Sequence, residues 1–447
     1  MSSQVRVLLV GNGGREHAIA WKLLQSPRVE HIFVVPGNGG TANTPKVTNN
    51  STIKQEDFPA LVQFAKENGV NLVIPGPEAP LVAGIVDYFE KHAGNGIKCF
   101  GPSEAAARME GSKTFSKDFM KKHNIPTAAY ENFSDYEKAK EYLDTISHNV
   151  VIKASGLAAG KGVIIPQSKE EAHAALKDIM LDREFGSAGD EVVVEEFLEG
   201  DELSILTFSD GTTIKSLPPA QDHKRIGEGD TGPNTGGMGT YAPTRIAPPS
   251  VIEAVHKDIL QPTVDGMKSD GFEFKGVLFT GLMMTKTGPK VLEYNVRFGD
   301  PETQSLLALM DSDLAEAMTA CAEGRLGDVE VRVSKKSAAT VVVAAGGYPG
   351  SYAKGTVMKL DNVPEGKGSR TIMEKVRANM QTDVVLFHAG TSFSDNTLKT
   401  SGGRVIASTA TASTLEEAVA KAYQGVDCIH FDGMQYRKDI AGRALRK

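Results

Sequence analysis

Cysteine is scarce in this chain. Cys99, Cys321 and Cys428 are the only three in 447 residues, odd in number and far apart. They form no disulfide framework and no CxxC metal site, and read as buried thiols of a reducing cytosol. Long apolar runs are lacking as well, since nothing approaches the ~20 residues that a bilayer-crossing helix needs. The first apolar run, Val5 to Val10, is too short for a signal-peptide core and passes straight into Gly-Asn-Gly-Gly-Arg-Glu-His, so the expected location is cytoplasmic. A basic excess is also missing: 49 Lys and Arg stand against 56 Asp and Glu, a net charge of −7. That excludes the footprint of a general nucleic-acid binder and leaves room for a local basic pocket facing a small anion. There is no sequence repeat and no low-complexity segment.

What is present is ordinary globular material, 40% hydrophobic and 23% charged, long enough for roughly three domains. Val5–Val10 predicts a buried strand. Residues 15–25 predict a helix with Ile19/Leu23 and Ala20/Leu24 stacked at i,i+4. Strands at Ile32–Val35, Leu72–Ile74 and Ile97–Phe100 alternate with helices, one of them Phe58–Asn68 stopped by Gly69. This alternation predicts a doubly wound parallel α/β sheet over residues 1–105. Residues 107–125 read as one helix. The pieces from about 126 to 200 predict a small α+β unit within a central region, 106–329. The glycine-rich, polar stretch 225–243 reads as a mobile loop. A helix at Ser250–Ser269 leads to strands Gly276–Thr285 and Lys290–Arg297, then to a helix with Asp300 as N-cap and Pro301 at its first position. From 330 the texture turns β-rich, with a helix opened by Ser413-x-x-Glu416, and a separate C-terminal domain is expected over 330–447.

Four stretches carry chemistry. The opening turn lacks two features of a dinucleotide fingerprint. Gly11 and Gly13 fit, but Glu16 stands where the third glycine belongs, and the second strand ends "FVVPGNGG" without a ribose-binding carboxylate. What remains is a set of backbone N–H groups at a helix N-terminus, Gly11, Asn12, Gly13 and Gly14 beside Arg15, which suits an anion; a tight packing turn reads the same way. In "VIKASGLAAGKGV", Lys153 precedes a loop with Ser155, Gly156, Gly160, Lys161 and Gly162. Such loops cover polyphosphates, although the spacing is not that of a Walker A loop and a solvated hairpin looks alike. In "VVVEEFLEGDELS", a strand runs into Glu195, Glu196, Phe197, Leu198 and Glu202, as an adenine edge with a carboxylate near a ribose would require; a solvated acidic loop fits equally. In "KVLEYNVRFGDPETQ", strand alternation puts Glu293, Asn295 and Arg297 on one face and Leu292, Tyr294 and Val296 on the other. Glu and Asn oxygens suit Mg²⁺, and Arg297 can grip a carboxylate or phosphate with two parallel bonds. Asp300 and Glu302 follow at a helix N-terminus.

The order of these motifs, with "GPEAPLV", "EGSKTFSKDFM", "QDHKRIGEGDTGPNTGGMG" and the closing "RKDIAGRA", resembles the glycinamide ribonucleotide synthetases (phosphoribosylamine–glycine ligases) of the ATP-grasp superfamily over essentially the whole chain. The resemblance implies a pre-ATP-grasp parallel sheet, an ATP-grasp domain with a lid at about 126–200, and a β-rich C-terminal domain. It implies ligation of glycine to 5-phosphoribosylamine at the expense of ATP in purine synthesis, through an acyl phosphate and with no enzyme nucleophile. Lys113 and Lys153 would contact the ATP phosphates under the 155–162 loop, Glu195 to Leu198 the adenine, and Glu202 the ribose. Glu293 and Asn295 would hold Mg²⁺ or Mn²⁺, and Arg297 would sit near the glycine carboxylate or the transferring phosphate. The Gly11–Arg15 turn would hold the phosphate of phosphoribosylamine. Pro77, Glu78, Asp300, Pro301 and Glu302 would bind substrate, while Asp222, His223, Lys224 and the 227–239 loop with Gly237 and Met238 would help enclose the reacting amine. Arg297, Lys153, Asp222 and Lys224 are the catalytic candidates. Many superfamily members carry a further metal-binding carboxylate on the preceding strand, whereas here that strand reads "VLFTGLMMT", with no acid. A sister ligase using bicarbonate or formate, or an inactive nucleotide-binding scaffold, are the competing readings. Partners other than small molecules would be purine-pathway enzymes, fused or transient, with neither nucleic acid nor membrane involved.

Overall fold

The computed structural model describes residues 4–158, 160–362 and 383–446; residue 159 of the glycine loop and residues 363–382 of the expected C-terminal domain lie outside these. The N-terminal strands run in the order Val47–Asn49, Val29–Pro36, Val5–Gly11, Leu72–Pro75, Lys98–Cys99, all parallel. The unbroken apolar run of the opening strand follows from burial on both faces. Leu8 and Val10 pack into one core, Val7 and Leu9 into the other.

The central part holds two antiparallel sheets. The smaller orders Tyr130–Phe133, Val192–Glu196, Val150–Ala154 and Val163–Ile164. Helices Tyr136–Thr145 and Lys169–Met180 cover one of its faces, placing Leu143, Leu176 and Ile179 in one core with Ile152 and Val194. The larger orders Ile214–Ser216, Asp201–Asp210, Lys275–Thr285 and Gly288–Asn295. Where the two sheets meet, Ala128 and Leu198 pack with Met283 and Leu292 into a separate apolar patch. The C-terminal sheet runs Gln221–Asp222, Gly239–Ala242, Ser337–Ala345, Arg404–Ala412, Val384–His388. Its first two strands come from the middle of the chain, so the β-rich end of the molecule is completed by residues 221–242. Among the described residues no helix is long and apolar enough to cross a membrane.

Several local expectations change. The helix expected over 107–125 is two, Glu104–Gly111 and Lys113–Lys122. They break at Ser112, whose extended backbone lets its hydroxyl accept from the Phe115 N–H and cap the second. The stretch 225–243 is not a loose loop. It forms the hairpin Arg225–Gly227/Thr231–Asn234 and the strand Gly239–Ala242, ordered by tertiary contacts that its glycine-rich composition hides. The strand Gly288–Asn295 is bulged: Gly281 pairs with Glu293 and Leu282 with Val291, so Leu292 leaves the Tyr294 side and joins the apolar patch. Asp300 does not cap its own helix, Glu302–Leu309, whose N-cap position is Pro301. The final long helix is Leu415–Val426, capped by Thr414 rather than Ser413, because the Thr414 hydroxyl accepts from the Glu417 N–H.

Candidate active site

The helix that begins at Lys113 docks its first turn on the glycine loop. The Lys113 N–H donates to the Ser155 carbonyl at 2.9 Å and its Nζ to the Gly156 carbonyl at 3.1 Å. The Ser155 hydroxyl meets Thr114 Oγ1 at 3.0 Å. Lys153, from the adjacent strand, donates to the Leu292 carbonyl at 3.1 Å and ion-pairs with Glu195. Lys117, one turn after Lys113, shares that carboxylate and donates to Thr127 Oγ1 at 2.7 Å. Burial pushes Glu195 up, but the ammonium groups of Lys153 and Lys117 outweigh it and hold the carboxyl below the usual range. Burial brings Lys117 down to about 8. Expected beside the base, Glu195 thus turns its side chain to two lysines. Glu196 accepts from the Ala129 N–H, the Phe197 N–H donates to the Asn149 carbonyl, and Leu198 lies in the apolar patch. Gly162 closes the loop by accepting from Ala154 at 2.8 Å, Gly160 takes φ +76°, and Lys161 is exposed.

Glu293 stands at the centre. Lys224 Nζ lies 3.8 Å from it and 3.1 Å from Glu202. Burial alone would raise the Glu293 pKa, yet Lys224, Lys153, Lys113 and Arg297 hold it below the usual carboxylate range. The strand ends at half-buried Asn295, short of the expected Arg297, and two residues on Arg297 is gripped between Glu78 at 3.3 Å and Glu110 at 3.1 Å. Glu110 also accepts from the Val296 N–H at 2.8 Å. Pro77 is the N-cap residue of the short helix that starts with Glu78.

The opening turn forms the next wall. The Glu16 carboxylate caps its own helix, accepting from the Gly13 N–H at 2.6 Å, and Arg15 Nε lies 2.5 Å from the same side chain. Arg15 also donates to the Phe298 carbonyl at 3.1 Å, so its guanidinium is buried and turned inward. Asp300 sits over the turn, accepting from the Arg15 N–H at 3.3 Å and from Gln304 at 2.9 Å. Asn12 and Gly13 offer their carbonyls to Asn38. Gly11 takes φ +131°, and a Cβ there would lie 2.6 Å from Glu16 Cδ; one on Gly14 would lie 2.7 Å from Gln304 Nε2.

Asp222 and Glu302 are both raised, chiefly by burial. Asp222 lies against Gly237, where an added Cβ would come within 2.7 Å of its Oδ1 and 2.5 Å of Pro301 Cδ. Met238, expected at the cleft, is fully buried. Its N–H bonds the His223 carbonyl and its carbonyl the Val342 N–H, so it belongs to the sheet. Arg404, unforeseen, donates to the carbonyls of Gly236 and Asp300, each at 2.7 Å.

Glu110 and Lys117 both lay within the quoted "EGSKTFSKDFM". Lys117 is i+4 from Lys113 and so on its face, a readable signal. Arg404 had none, because nothing around it in sequence marks it.

Three family models, the N, ATP-grasp and C domains of phosphoribosylglycinamide synthetase, match residues 5–110, 111–303 and 338–443. The chain is 59% identical to a bifunctional purine biosynthetic protein of Pichia angusta over 99% of its own length and 54% of that protein. It spans about half the length of this and the Schizosaccharomyces pombe bifunctional protein. It is 47% identical to the phosphoribosylamine–glycine ligase of Vibrio cholerae, over 99% of both. The crystal structure of the Thermotoga maritima phosphoribosylamine–glycine ligase superposes with a TM-score of 0.81 at 35% identity, covering 98% of this chain and 100% of that one. A biotin carboxylase domain from Hydrogenobacter thermophilus, 16% identical with a TM-score of 0.73 over 98% and 92%, shares the fold alone. The chain belongs to the phosphoribosylglycinamide synthetase family, with its parallel-sheet N domain, ATP-grasp domain and C domain.

Proposed function

We propose that this chain ligates glycine to 5-phosphoribosylamine, giving glycinamide ribonucleotide, ADP and phosphate. The observation that carries this is the gathering of Lys113, Lys153, Lys224 and Arg297 around Glu293, in a chain that matches a ligase of the same length end to end. A thiol mechanism has no support, since burial pushes Cys99, Cys321 and Cys428 up and away from thiolate.

In this reading the glycine carboxylate attacks the γ-phosphorus and ADP leaves. The amine of phosphoribosylamine then attacks the glycyl carbonyl, and phosphate leaves with loss of an amine proton. Lys113 and Lys153 balance the phosphate charge under the Ser155–Gly162 loop. The apolar patch around Leu198 receives the base beside Glu195, Glu196 and Phe197, and Glu202 faces the ribose. Arg297, oriented by Glu78 and Glu110, binds the glycine carboxylate or the transferring phosphate. The wall of Gly11–Arg15, Pro77, Glu78, Asp300, Pro301 and Glu302 faces phosphoribosylamine. Asp222, Lys224 and Gly237 close over the amine. Catalysis is then positioning plus charge neutralisation.

Glu293 and Asn295 fit Mg²⁺ or Mn²⁺ as a donor set, because Glu293 is kept ionised and both offer hard oxygens. Among the described residues no cluster of three His, Cys, Asp or Glu side chains gathers as a metal site, so nucleotide oxygens and water would complete the shell. A bound divalent ion would neutralise the phosphate charge.

We also propose the division 1–105, 106–329 with a lid at about 126–200, and 330–447, a cytoplasmic location, and purine-pathway enzymes as fused or transient partners. The bifunctional relatives support the last point. The bicarbonate or formate alternative has only a fold likeness in its favour. The test is ADP release with each substrate withheld. Dependence on both glycine and phosphoribosylamine, with glycine hydroxamate formed in hydroxylamine, supports the ligase. Bicarbonate-dependent release without hydroxamate would replace it with the sister reaction.

A further inference from the structure

The closing segment "RKDIAGRA" has no part in the chemistry above, yet it grips the hairpin Arg225–Gly227/Thr231–Asn234 that follows Asp222 and Lys224. Arg437 is among the largest fully buried side chains, 1% exposed. It reaches Asp230 at the hairpin tip at 2.9 Å, Asp439 at 2.7 Å and the Arg225 carbonyl at 3.2 Å. Asp439 in turn accepts from the Gly229 N–H at 2.8 Å, and Arg443 ion-pairs with Asp230. At the base of the hairpin the Ala441 N–H donates to His223 Nε2 at 3.0 Å. Ile440 lies under Gly239, where an added Cβ would come within 2.7 Å of its Cδ1. His223 stands directly between Asp222 and Lys224, so both ends of the hairpin are tied to one short segment.

We propose that Arg437 is a positioning residue for the ligation: with Asp230, Asp439 and the Ala441–His223 hydrogen bond it latches the 225–234 hairpin, and with it the preceding Asp222–Lys224 segment, over the reacting centre. This rests on the ligase reading. The latch matters because an acyl phosphate must be kept from water until the amine attacks. Arginine suits the post, since its planar fork can hold two carboxylates and a carbonyl at once and a lysine cannot.

The test measures ADP and glycinamide ribonucleotide separately in the full chain, for wild type, Arg437→Lys, Arg437→Met and Asp230→Asn. An unlatched hairpin releases ADP without product. The expected result is that Arg437→Met lowers product per ADP about tenfold, the factor that ~1.4 kcal/mol represents. Asp230→Asn, at a half-buried position that leaves the core untouched, shows the same uncoupling, and the double variant is no worse than the worse single. Arg437→Lys recovers only part of the ratio. A one-to-one ratio retained in Asp230→Asn, or ADP and product falling together in every variant, would overturn the latch while leaving the ligase reading intact. Wild type that makes no product would remove the ligase reading itself.

Discussion

Glu293 owes its ionised state to four cations that the sequence scatters from 113 to 297. At this scale the sharpest expectation is that Glu293→Ala lowers ADP formation by on the order of 10²–10³, the size of effect seen when one electrostatic stabiliser is lost. Circular dichroism and a thermal melt should stay native. Retained turnover would defeat the metal assignment. Glu195 makes a different prediction. Glu195→Ala leaves the Lys117 and Lys153 ammonium groups buried without their carboxylate, and breaking such a pair from one side costs about 3–5 kcal/mol. Urea unfolding should show that loss together with a raised KM for ATP. Arg15 is turned toward Glu16 and Phe298, so Arg15→Ala disturbs the wall that holds Asp300. It should raise the KM for phosphoribosylamine well above any change for ATP; equal changes in both would detach the opening turn from the co-substrate.

Among the elements, the loop after the 225–234 hairpin has little slack. Gly237 takes φ +115°, which an L-residue adopts only with strain, and a side chain there would press on Pro301 and Asp222 together. Gly237→Ala should therefore lower kcat by up to about 100-fold, the scale of a ~1 Å misplacement. Steady-state kinetics should find the KM for ATP unchanged, because Lys113 and Lys153 lie on other elements. The bulge at Leu292 shows the same dependence on element geometry. One inserted residue moves an apolar side chain from the core side to the patch that would receive the base, and ideal alternation does not foresee it.

Across the whole molecule, the N-terminal and C-terminal parts are joined by neutral histidines. The His388 N–H donates to His17 Nδ1 at 2.8 Å, linking the first helix to the strand Val384–His388, and the rings stand 5.5 Å apart. Burial drives His17 well below its ordinary value and brings His388 to about 4; burial and Arg437 bring His223 to about 4 as well. The sign follows directly. For His388 and His223 the unfolded chain takes up the proton near pH 6.5 and the folded chain resists to about 4, so stability is full above 6.5 and is lost as pH falls through that window; His17 acts in the same direction. The loss is on the order of 3 kcal/mol each for His388 and His223. Urea midpoints from pH 7 to 4.5 should fall accordingly. His17→Asn, whose amide oxygen can still accept the His388 N–H, should flatten the slope; an unchanged slope would exclude this pair as its source.

The sequence by itself determined the local pattern: the parallel N-terminal sheet, the glycine loop after Lys153, and the strand that carries Glu293 and Asn295, because periodicity, turn residues and alternation act over a few residues. It also speaks against a dinucleotide site at the opening turn, through the glycine and carboxylate that are missing there. Only the tertiary structure decided what each charge meets. Asp300 caps the opening helix rather than its own, Glu195 serves two lysines, and from the far end of the chain Arg404 reaches Asp300 and Arg437 reaches Asp230 in the 225–234 hairpin. The physical reason is that a buried charge must find a partner wherever the fold brings one, and the low dielectric that enforces this has no trace in local sequence.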